Sequence, residues 1–465
     1  QKFDHFCWDV YSRIQKEYEA NESLKEERTK VQHALEAGYN DGFEAGSNKT
    51  SMEAGSNETT KTAEELVSRI IKDHLATAGK LGVFYDVFIF ESSILRAGLW
   101  QKTFEKLKKS GKVVFETTGP NENCWVFKNL ALSPDEKLKN PDKILVTSKG
   151  VAVYTAKDIA YHLWKFGKGA GDFKYVKVGK QANGDALYAS AQKGASKKFG
   201  HGDAVINVID VRQSYPQMVV KSALKELGLT QQSENLKHLS YEVVSLSPTT
   251  AQALGVATEE GKGSYTMSGR KGIGVKADDL IETLVKKIEE KRKSDTLVEG
   301  SGKKDAGVIS AEAIAAAAIK AYMLKQGLNQ EVVFDMDQAL SLTGDSGPYL
   351  QYTHARIKGI IRKAGRVSLG AAKPEFLKEP EELELLRKIY IFPEVVELAA
   401  TQLTPHMVYH YLLGLAQSFN TFYAKHQVLK APAKHLMSAR LVLISAVAEA
   451  VKNGLGLLGI QAPER

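Results

Sequence analysis

The stretch AVINVIDVRQSYPQ, residues 204–217, decides the fold class. Its first half, AVINVID, is a nearly continuous apolar run, which is typical of a buried parallel strand. A helix is predicted to start near Ser214, because Ser214 and Gln217 have the spacing of a capping box and Pro216 suits a first helical turn. A strand that leads directly into a helix predicts an α/β architecture.

The segments before this stretch alternate in the same way and extend the α/β prediction. Helices are predicted over 1–36, over 63–77 and after residue 155, and strands at 83–90, 112–118, 124–128, 143–147 and 151–155. The last four strand candidates are predicted to pair as two hairpins. The helix after residue 155 carries Ile159, Leu163 and Phe166 on one face. Together these patterns predict an open α/β sheet.

The pattern changes from about residue 310, where helices follow one another. Ser310 is predicted to cap a helix that Gly327 ends, and Thr404 with Pro405 is predicted to start another. That second helix has an apolar stripe of Met407, Tyr411, Leu415, Phe419 and Phe422. A further helix is predicted over 437–460, with a glycine stop. The C-terminal third is therefore predicted to be an all-α helical bundle.

Composition limits the class of protein. The chain has 465 residues, 43% hydrophobic and 25% charged, as expected of a globular protein, and its net charge of +8 suits a polyanionic partner such as nucleic acid. Two cysteines exclude a disulfide scaffold. We find no signal peptide, no apolar run of about 20 residues that could span a membrane, and no metal-ligand spacing. These observations predict an intracellular protein without a membrane segment or a metal site.

Two strand-to-helix junctions hold polar residues that could bind a ligand. Tyr154 is predicted to end a strand and Asp158 to begin the next helix, and Gln213 and Gln217 follow the strand that ends at Asp210. Ligands of open α/β sheets bind beyond the carboxyl ends of the strands, where a carboxylate can grip a guanidinium or an ammonium group. Taken alone, Asp158 is more often a helix cap, and the second junction is equally well an ordinary loop.

Two basic segments have the composition of phosphate or nucleic-acid contacts. In GSYTMSGRKGIGVKADDL, residues 263–280, glycines surround Arg270 and Lys271, which suits a mobile phosphate clamp that precedes an acidic helix start. In 344–366 tyrosines alternate with cations, a mixture that can stack on bases and neutralise phosphates. A solvated turn and a solvated helix face are the alternatives for these two segments.

The order of the motifs is more specific than any one of them. YTAKDIA, DVRQSYPQM, MSGRKG, FDMDQALSLTGDSGPYLQYTHARI and SARL follow one another along the chain, and in that order they resemble arginyl-tRNA synthetases, which are class I aminoacyl-tRNA synthetases. The resemblance covers residues 80–465. It implies a Rossmann-like α/β catalytic domain followed by an all-α anticodon-binding domain. It also implies an arginine–tRNA ligase, which activates arginine with ATP and transfers it to tRNA.

The resemblance implies a role for each matching residue. Arginine-binding residues are Tyr154, Asp158 and Gln213, with Asp158 on the guanidinium; ATP-binding residues are Gln217, Met267, Ser268 and Lys271; catalytic residues are Ser268, Arg270 and Lys271; tRNA-binding residues are Tyr349, Gln351, Tyr352, His354, Arg356 and Arg440. The segment TMSGRKG corresponds to the KMSKS loop of the family, with Thr266 and Gly269 in place of its two lysines. Implied ligands are arginine, ATP with Mg²⁺, and tRNA. We expect a cytoplasmic monomer.

The resemblance also predicts the organisation of the chain. The expected segments are a helical and Gly-rich polar insertion at 1–80, the second half of the catalytic domain at 81–230, the KMSKS-like region and linker at 231–305, and the anticodon-binding domain at 306–465. A HIGH-type motif and the N-terminal tRNA-elbow domain of the family have no counterpart, so we expect a catalytic domain that is incomplete at its N-terminus. The alternatives are a non-catalytic tRNA-binding paralogue and another synthetase of the same class.

Overall fold

The computed structural model describes residues 1–39, 58–128, 142–266, 275–294, 309–365 and 372–464. These residues form two compact units, an N-terminal unit of Gln1–Leu75 and Phe84–Tyr241, and a C-terminal unit of Ala76–Val83 and Glu242–Arg465. None of the described helices is long and apolar enough to cross a membrane. The predicted boundaries of the four segments stay predictions.

Helices dominate both units. They are α1 Phe3–Ala20, α2 Glu22–Tyr39, α3 Glu58–Lys80, α4 Glu91–Arg96, α5 Leu99–Lys109, α6 Tyr154–Lys165, α7 Ser214–Glu226, α8 Thr230–Glu234, α9 Pro248–Ala253, α10 Ala277–Ser294, α11 Ala311–Leu324, α12 Met336–Ala339, α13 Gly347–Ala364, α14 Pro380–Gln402, α15 His406–Lys425 and α16 Lys434–Leu457. Single 3₁₀ turns cover Val211–Gln213 and Pro374–Phe376.

The strands are short and belong to four small sheets. They are β1 Val87–Phe88, β2 Val113–Phe115, β3 Trp125–Phe127, β4 Lys143–Val146, β5 Lys174–Lys180, β6 Ala186–Ala191, β7 Val205–Asp210, β8 Leu236–Tyr241, β9 Val244–Leu246, β10 Tyr265–Thr266 and β11 Val332–Phe334. Their orders are β1-β6-β5, β2-β3-β4, β7-β8 and β10-β9-β11. The pairs β1–β6, β7–β8 and β9–β11 are parallel.

The strand that decided the fold class is parallel, as predicted. β7 pairs with β8 along its whole length, from Val205 opposite Leu236 to Asp210 opposite Tyr241, and α7 follows it. The prediction that this strand is buried is wrong for one of its faces. Ile206 is 49% and Val208 61% exposed. The reason is that helices pack on only one face of β7. No described residue covers the other face, which carries Ile206 and Val208.

The two predicted hairpins have different outcomes. β2 and β3 pair antiparallel, as expected for the first. In the second, β4 turns back, but the return is a single bridge between Val146 and Ala152. Tyr154 therefore begins α6 and does not end a strand, because the helix starts directly after Val153. The strand predicted at 83–90 shortens to β1.

The core of the N-terminal unit surrounds α5, α6 and α7. Trp100 and Phe104 of α5 and Val219 of α7 are almost completely buried. Ile159, Leu163 and Phe166 are buried too, which confirms the predicted apolar face of α6. The core thereby fixes the rotation of α6 and turns Tyr154 and Asp158 away from the apolar centre.

The start of α7 differs from the predicted capping box. Asp210 caps the preceding 3₁₀ turn, because its carboxylate accepts a bond from the backbone N–H of Arg212 at 2.9 Å. The Ser214 hydroxyl donates to the Val211 carbonyl at 2.7 Å. Gln217, the other half of the predicted box, is 5% exposed and turns inward. The capping-box prediction is therefore wrong, although α7 starts at the predicted residue.

The C-terminal unit begins with a small sheet packed on helices. β9 lies between β10 and β11, and α10 and α11 pack on one another beside it. Ser310 caps α11 as predicted, since its hydroxyl accepts from the Ala313 N–H at 3.2 Å. The helix ends at Leu324, earlier than Gly327. Lys286–Ser294, expected to belong to a linker, are part of α10.

The remainder of the C-terminal unit is the predicted all-helical bundle of α13 to α16. Leu415, Phe419 and Phe422 of α15 are fully buried, and Met407 and Tyr411 pack against the same core, which confirms the predicted stripe. Gly347 lets α13 approach α11 closely. A Cβ at this position would lie 2.3 Å from the Ala317 carbonyl oxygen.

Candidate functional site

The exposed face of α6 carries the two residues predicted to bind an amino-acid side chain. Tyr154 is the first residue of the helix and 75% exposed, and Asp158 follows one turn later, half-buried. Residues four apart lie on the same face of a helix. Burial raises the pKa of the Asp158 carboxyl, and the positive charge of Lys165 opposes that shift. This face therefore combines an exposed phenol with a carboxylate that lacks full hydration.

The junction between β7 and α7 holds a second group of polar side chains. The Arg212 guanidinium grips Asp210 through Nε–Oδ1 and Nη2–Oδ2 bonds of 3.0 and 2.9 Å, which holds the pKa of the Asp210 carboxyl below its usual range. Gln213, the next residue, is exposed. Asp210 is thus engaged within the chain, whereas Gln213, like Val211 and Arg212, presents its side chain to solvent.

A buried amide links α6 to this junction. Asn207 of β7 is 5% exposed. Its Oδ1 accepts from Lys165 Nζ at 2.9 Å, and its Nδ2 lies 2.7 Å from His162 Nε2 and 2.6 Å from Gln217 Oε1. Although Tyr154, Asp158 and Gln213 make no direct hydrogen bond with one another, this network joins the elements that carry them.

The same network determines the protonation of His162. The ring Nδ1 donates to the Asp158 carbonyl oxygen at 2.7 Å, and Nε2 accepts from Asn207. Burial, together with the nearby charge of Lys165, lowers the pKa of His162 from 6.5 to about 4. Burial also lowers the pKa of Lys165 to about 8, and its ammonium lies 4.6 Å from the centre of the Tyr161 ring. At neutral pH the imidazole is therefore uncharged.

Sequence reasoning missed three members of this network. Asn207, His162 and Lys165 were not selected, although Asn207 is the one amide inside an apolar run and His162 lies on the apolar side of α6. Gln217 was predicted to bind ATP. The structure contradicts a contact between the Gln217 side chain and ATP, because Gln217 is buried and its Oε1 accepts from Asn207. The sequence signal that could have indicated this network is a polar residue within an apolar pattern.

The other residues predicted to bind ATP or to act on it lie outside the described residues. These are Met267, Ser268, Arg270 and Lys271. On one side of them, β10 pairs antiparallel with β9. On the other side, α10 starts as predicted with two aspartates, and Asp278 accepts bonds of 2.8 Å from Thr77 Oγ1 and Lys80 Nζ.

An aromatic and cationic surface lies on α13 and α15. Tyr352 is 48% and Tyr423 41% exposed, and the Arg356 guanidinium lies 4.7 and 5.8 Å from their ring centres. Arg356 also donates to Tyr352 Oη at 2.9 Å and to Asn420 Oδ1 at 3.2 Å, and Asn420 donates to Tyr349 Oη at 2.8 Å. We call these five residues the tyrosine–arginine surface. Tyr349, Tyr352 and Arg356 were predicted; Asn420 and Tyr423 were missed.

Three other residues predicted to contact tRNA are enclosed by protein. Gln351 Nε2 donates to the Gln461 carbonyl at 2.9 Å, and His354 Nδ1 lies 2.7 Å from the Pro463 carbonyl. Arg440 is 6% exposed and bonded to Glu382. The prediction that these three side chains contact tRNA directly is therefore wrong, because each is turned inward and bonded within the bundle.

Comparisons with known proteins show which family the chain resembles. Residues 350–465 match the DALR anticodon binding domain. The chain is 34% identical to the arginine–tRNA ligase of Thermococcus kodakarensis, over 99% of this chain and 67% of that protein. It is also 34% identical to the arginine–tRNA ligase of Pyrococcus furiosus, over 100% of this chain and 73% of that protein.

Solved structures give the same result. The arginyl-tRNA synthetase of Thermus thermophilus superimposes with a TM-score of 0.74 at 33% identity, covering 87% of this chain and 64% of that one. A structure from Campylobacter jejuni, at 18% identity and a TM-score of 0.59, supports the fold alone. The chain spans about two thirds of the length of the curated relatives it matches. The identities, the anticodon-binding domain and the fold show that the chain belongs to the arginyl-tRNA synthetase family, whose members are arginine–tRNA ligases.

Proposed function

We propose that this chain binds the arginine and the tRNA of the arginine–tRNA ligase reaction and that the Asp158 carboxylate recognises the guanidinium group of arginine. The observation that carries this proposal is the half-buried carboxylate of Asp158 on the same helix face as the exposed Tyr154. A guanidinium can donate two parallel bonds to a carboxylate, and such charge-assisted bonds are strongest where water is partly excluded. The lysine substrate of another synthetase would offer a point charge without that geometry.

Tyr154 and Gln213 complete the proposed arginine site. Tyr154 presents its phenol at the start of α6, and Gln213 presents an amide at the start of α7. Both lie near helix N-termini, where the helix dipole favours negative charge. These positions suit the carboxylate end of an amino acid and its polar neighbours, while Asp158 holds the other end of the substrate.

For the ATP, we propose Met267, Ser268, Arg270 and Lys271 as contacts, with Ser268, Arg270 and Lys271 in the catalytic role. Two cations fit phosphate oxygens on which charge develops when the arginine carboxylate attacks the α-phosphorus and pyrophosphate leaves. Mg²⁺ accompanies ATP and neutralises phosphate charge; we assign no residue of this chain to it. Gln217 is buried and bonded to Asn207, so we assign its side chain no contact with the nucleotide.

The second half-reaction needs the tRNA. The hydroxyl of its terminal adenosine attacks the carbonyl carbon of the arginyl adenylate, and AMP leaves. We propose that the tyrosine–arginine surface on the bundle holds another part of the tRNA, since exposed rings can stack on unpaired bases and Arg356 can neutralise phosphate. The match of residues 350–465 to an anticodon binding domain supports this placement. A cytoplasmic location and a monomeric state stay predictions.

The test compares amino acids as substrates. The protein is supplied with the HIGH-containing segment of a related arginyl-tRNA synthetase and is incubated with ATP, tRNA and, in parallel, arginine, lysine or cysteine. Aminoacylated tRNA is then measured. We expect charging with arginine at a kcat/KM at least about a hundredfold above that for lysine, since a site built for several hydrogen bonds rejects a substrate that cannot make them. Equal charging with lysine, or tRNA binding with no charging at all, contradicts the proposal.

A further inference from the structure

One position of β7 breaks the apolar pattern of the strand. Asn207 lies between Ile206 and Val208, and its amide is buried. An amide without partners is costly to bury, so its position depends on the bonds it makes. It makes three, one through Oδ1 to Lys165 and two through Nδ2 to His162 and Gln217. The orientation of the amide is therefore determined by its neighbours.

Two of the three partners, His162 and Lys165, follow Asp158 on α6. His162 is one turn after Asp158, and its Nδ1 donates to the Asp158 carbonyl at 2.7 Å. Lys165 is one further turn away, and its positive charge is the main influence that favours the ionised form of the Asp158 carboxyl. The path from the Asn207 amide to the backbone of Asp158 is thus two hydrogen bonds long.

The third partner is on the other side of the proposed site. Gln217 lies in the first turn of α7, four residues after Gln213, and β7 itself continues from Asn207 to the junction at Asp210. One amide therefore joins α6, β7 and α7. Asp158 and Gln213, which do not touch one another, are both carried by elements that this amide connects.

We infer that Asn207 is a positioning residue of the arginine site. It fixes the position of α6, which carries Asp158, relative to the junction that carries Gln213. The inference rests on the proposed function. Asn207 touches no substrate; it acts through His162 and Lys165. A leucine of similar size would fill the same space and leave three buried polar groups without their partner, so α6 would shift or rotate relative to β7.

The experiment is a double-mutant cycle on arginine binding, measured by isothermal titration calorimetry with the whole chain. The variants are Asn207→Leu, Asp158→Asn and the two combined. Ser190→Ala is the matched control, because it removes the hydrogen bonds of a buried hydroxyl, to Ser93 at 2.9 Å and from the Phe90 N–H at 3.0 Å, in the same unit and outside the hydrogen bonds of Asn207. Thermal unfolding followed by circular dichroism checks that each variant is folded.

We expect Asn207→Leu to weaken arginine binding about tenfold or more, since small displacements of a positioned group cost this much. In the Asp158→Asn background the same change should weaken binding less than about twofold, because the group that it positions is already removed. The control should bind arginine as the unchanged chain does.

The outcomes separate this inference from the proposed function. If Asp158→Asn leaves arginine binding unchanged, or the unchanged chain binds no arginine, the proposed function fails and this inference with it. If Asp158→Asn weakens binding while Asn207→Leu behaves like Ser190→Ala or adds independently, only the positioning role is overturned. Should Asn207→Leu not fold, Lys165→Met removes one partner of the amide. Unchanged arginine binding in that folded variant overturns the role equally.

Discussion

The guanidinium of Arg440 donates from Nε to Glu382 Oε1 at 2.7 Å, and the two side chains are 7% and 0% exposed. Arg440 also donates to the Gln427 carbonyl at 2.9 Å, and Glu382 accepts from the backbone N–H of Glu379 at 3.0 Å. This ion pair ties α16 to the start of α14. The charge of Arg440 is therefore neutralised by Glu382 inside the bundle, and removal of either partner leaves a buried charge without its counter-ion.

Replacing Arg440 therefore changes stability first. Arg440→Met is expected to lower the free energy of unfolding of the bundle by about 3–5 kcal/mol, because it leaves the Glu382 carboxylate buried without its counter-ion. Urea unfolding followed by circular dichroism measures the change. Adding Glu382→Leu should recover most of the loss. A variant with normal stability and lost tRNA binding would return Arg440 to the set of direct contacts.

His162 makes the stability of the N-terminal unit depend on pH. Its pKa is about 4 in the folded chain and 6.5 as a free side chain, so the unfolded state binds more protons between these values. Stability is therefore fully present above pH 6.5 and is lost as pH falls toward 4. We expect about 2 kcal/mol of loss from this group between pH 7 and pH 5.

The check compares urea unfolding of the chain with that of His162→Gln at both pH values. The variant is less stable at pH 7, and its loss on acidification should be smaller by about the stated amount, since glutamine does not titrate in this range. Parallel losses in the two proteins contradict the assignment of a buried neutral imidazole.

Arg356 is expected to contribute to tRNA affinity through charge. Arg356→Gln should weaken tRNA binding and reduce the slope of log K against log salt concentration by about one, because one phosphate contact is removed. Arg387→Gln is the control, since Arg387 is 71% exposed on α14 and outside the tyrosine–arginine surface. Filter binding at several salt concentrations measures both. An equal effect of the two substitutions would indicate a general charge effect without a defined surface.

Arginine binding should weaken in acid through Asp158. Burial raises the pKa of this carboxyl, and a guanidinium binds its ionised form, so arginine affinity is present above that pKa and is lost as pH falls through it. Calorimetric titrations from pH 7.5 to pH 4.5 follow the loss. Asp158→Asn should show weak binding with little pH dependence, and a steep dependence retained in that variant would assign the titration to another group.

The sequence predicted the elements that local pattern determines. The parallel strand at 205–210, the helix that follows it, the β2–β3 hairpin, the Ser310 cap and the α15 stripe all depend on neighbours in the chain, and all are present. Tyr154 was assigned to a strand because VAVYT has the composition of one. The turn before it is followed by a single bridge only. From Tyr154 onward the chain is helical, because packing of α6 in the tertiary structure outweighs the local strand preference.

The candidate site shows the same division. Asp158 and Gln213 were selected because the order of the motifs that contain them is specific, and their roles stay predictions. Asn207, His162 and Lys165 were not, since their importance arises from bonds between residues far apart in the chain, such as the 2.9 Å bond from Lys165 to Asn207. Gln217 and Arg440 were given ligand roles because they stand in motifs that resemble those of the family, whereas the partner of a buried polar group appears only in three dimensions.

The central claim is that the Asp158 carboxylate reads the positive charge of the arginine guanidinium. Citrulline has nearly the shape of arginine and a side chain without charge. The most direct measurement is therefore the kcat/KM of tRNA charging for arginine divided by that for citrulline. This ratio is measured for the unchanged protein and for Asp158→Asn. Asp185→Asn, an exposed acid in the β5–β6 turn, is the control. We predict that the ratio falls about a hundredfold in Asp158→Asn and stays constant in the control. An unchanged ratio in Asp158→Asn would contradict the account.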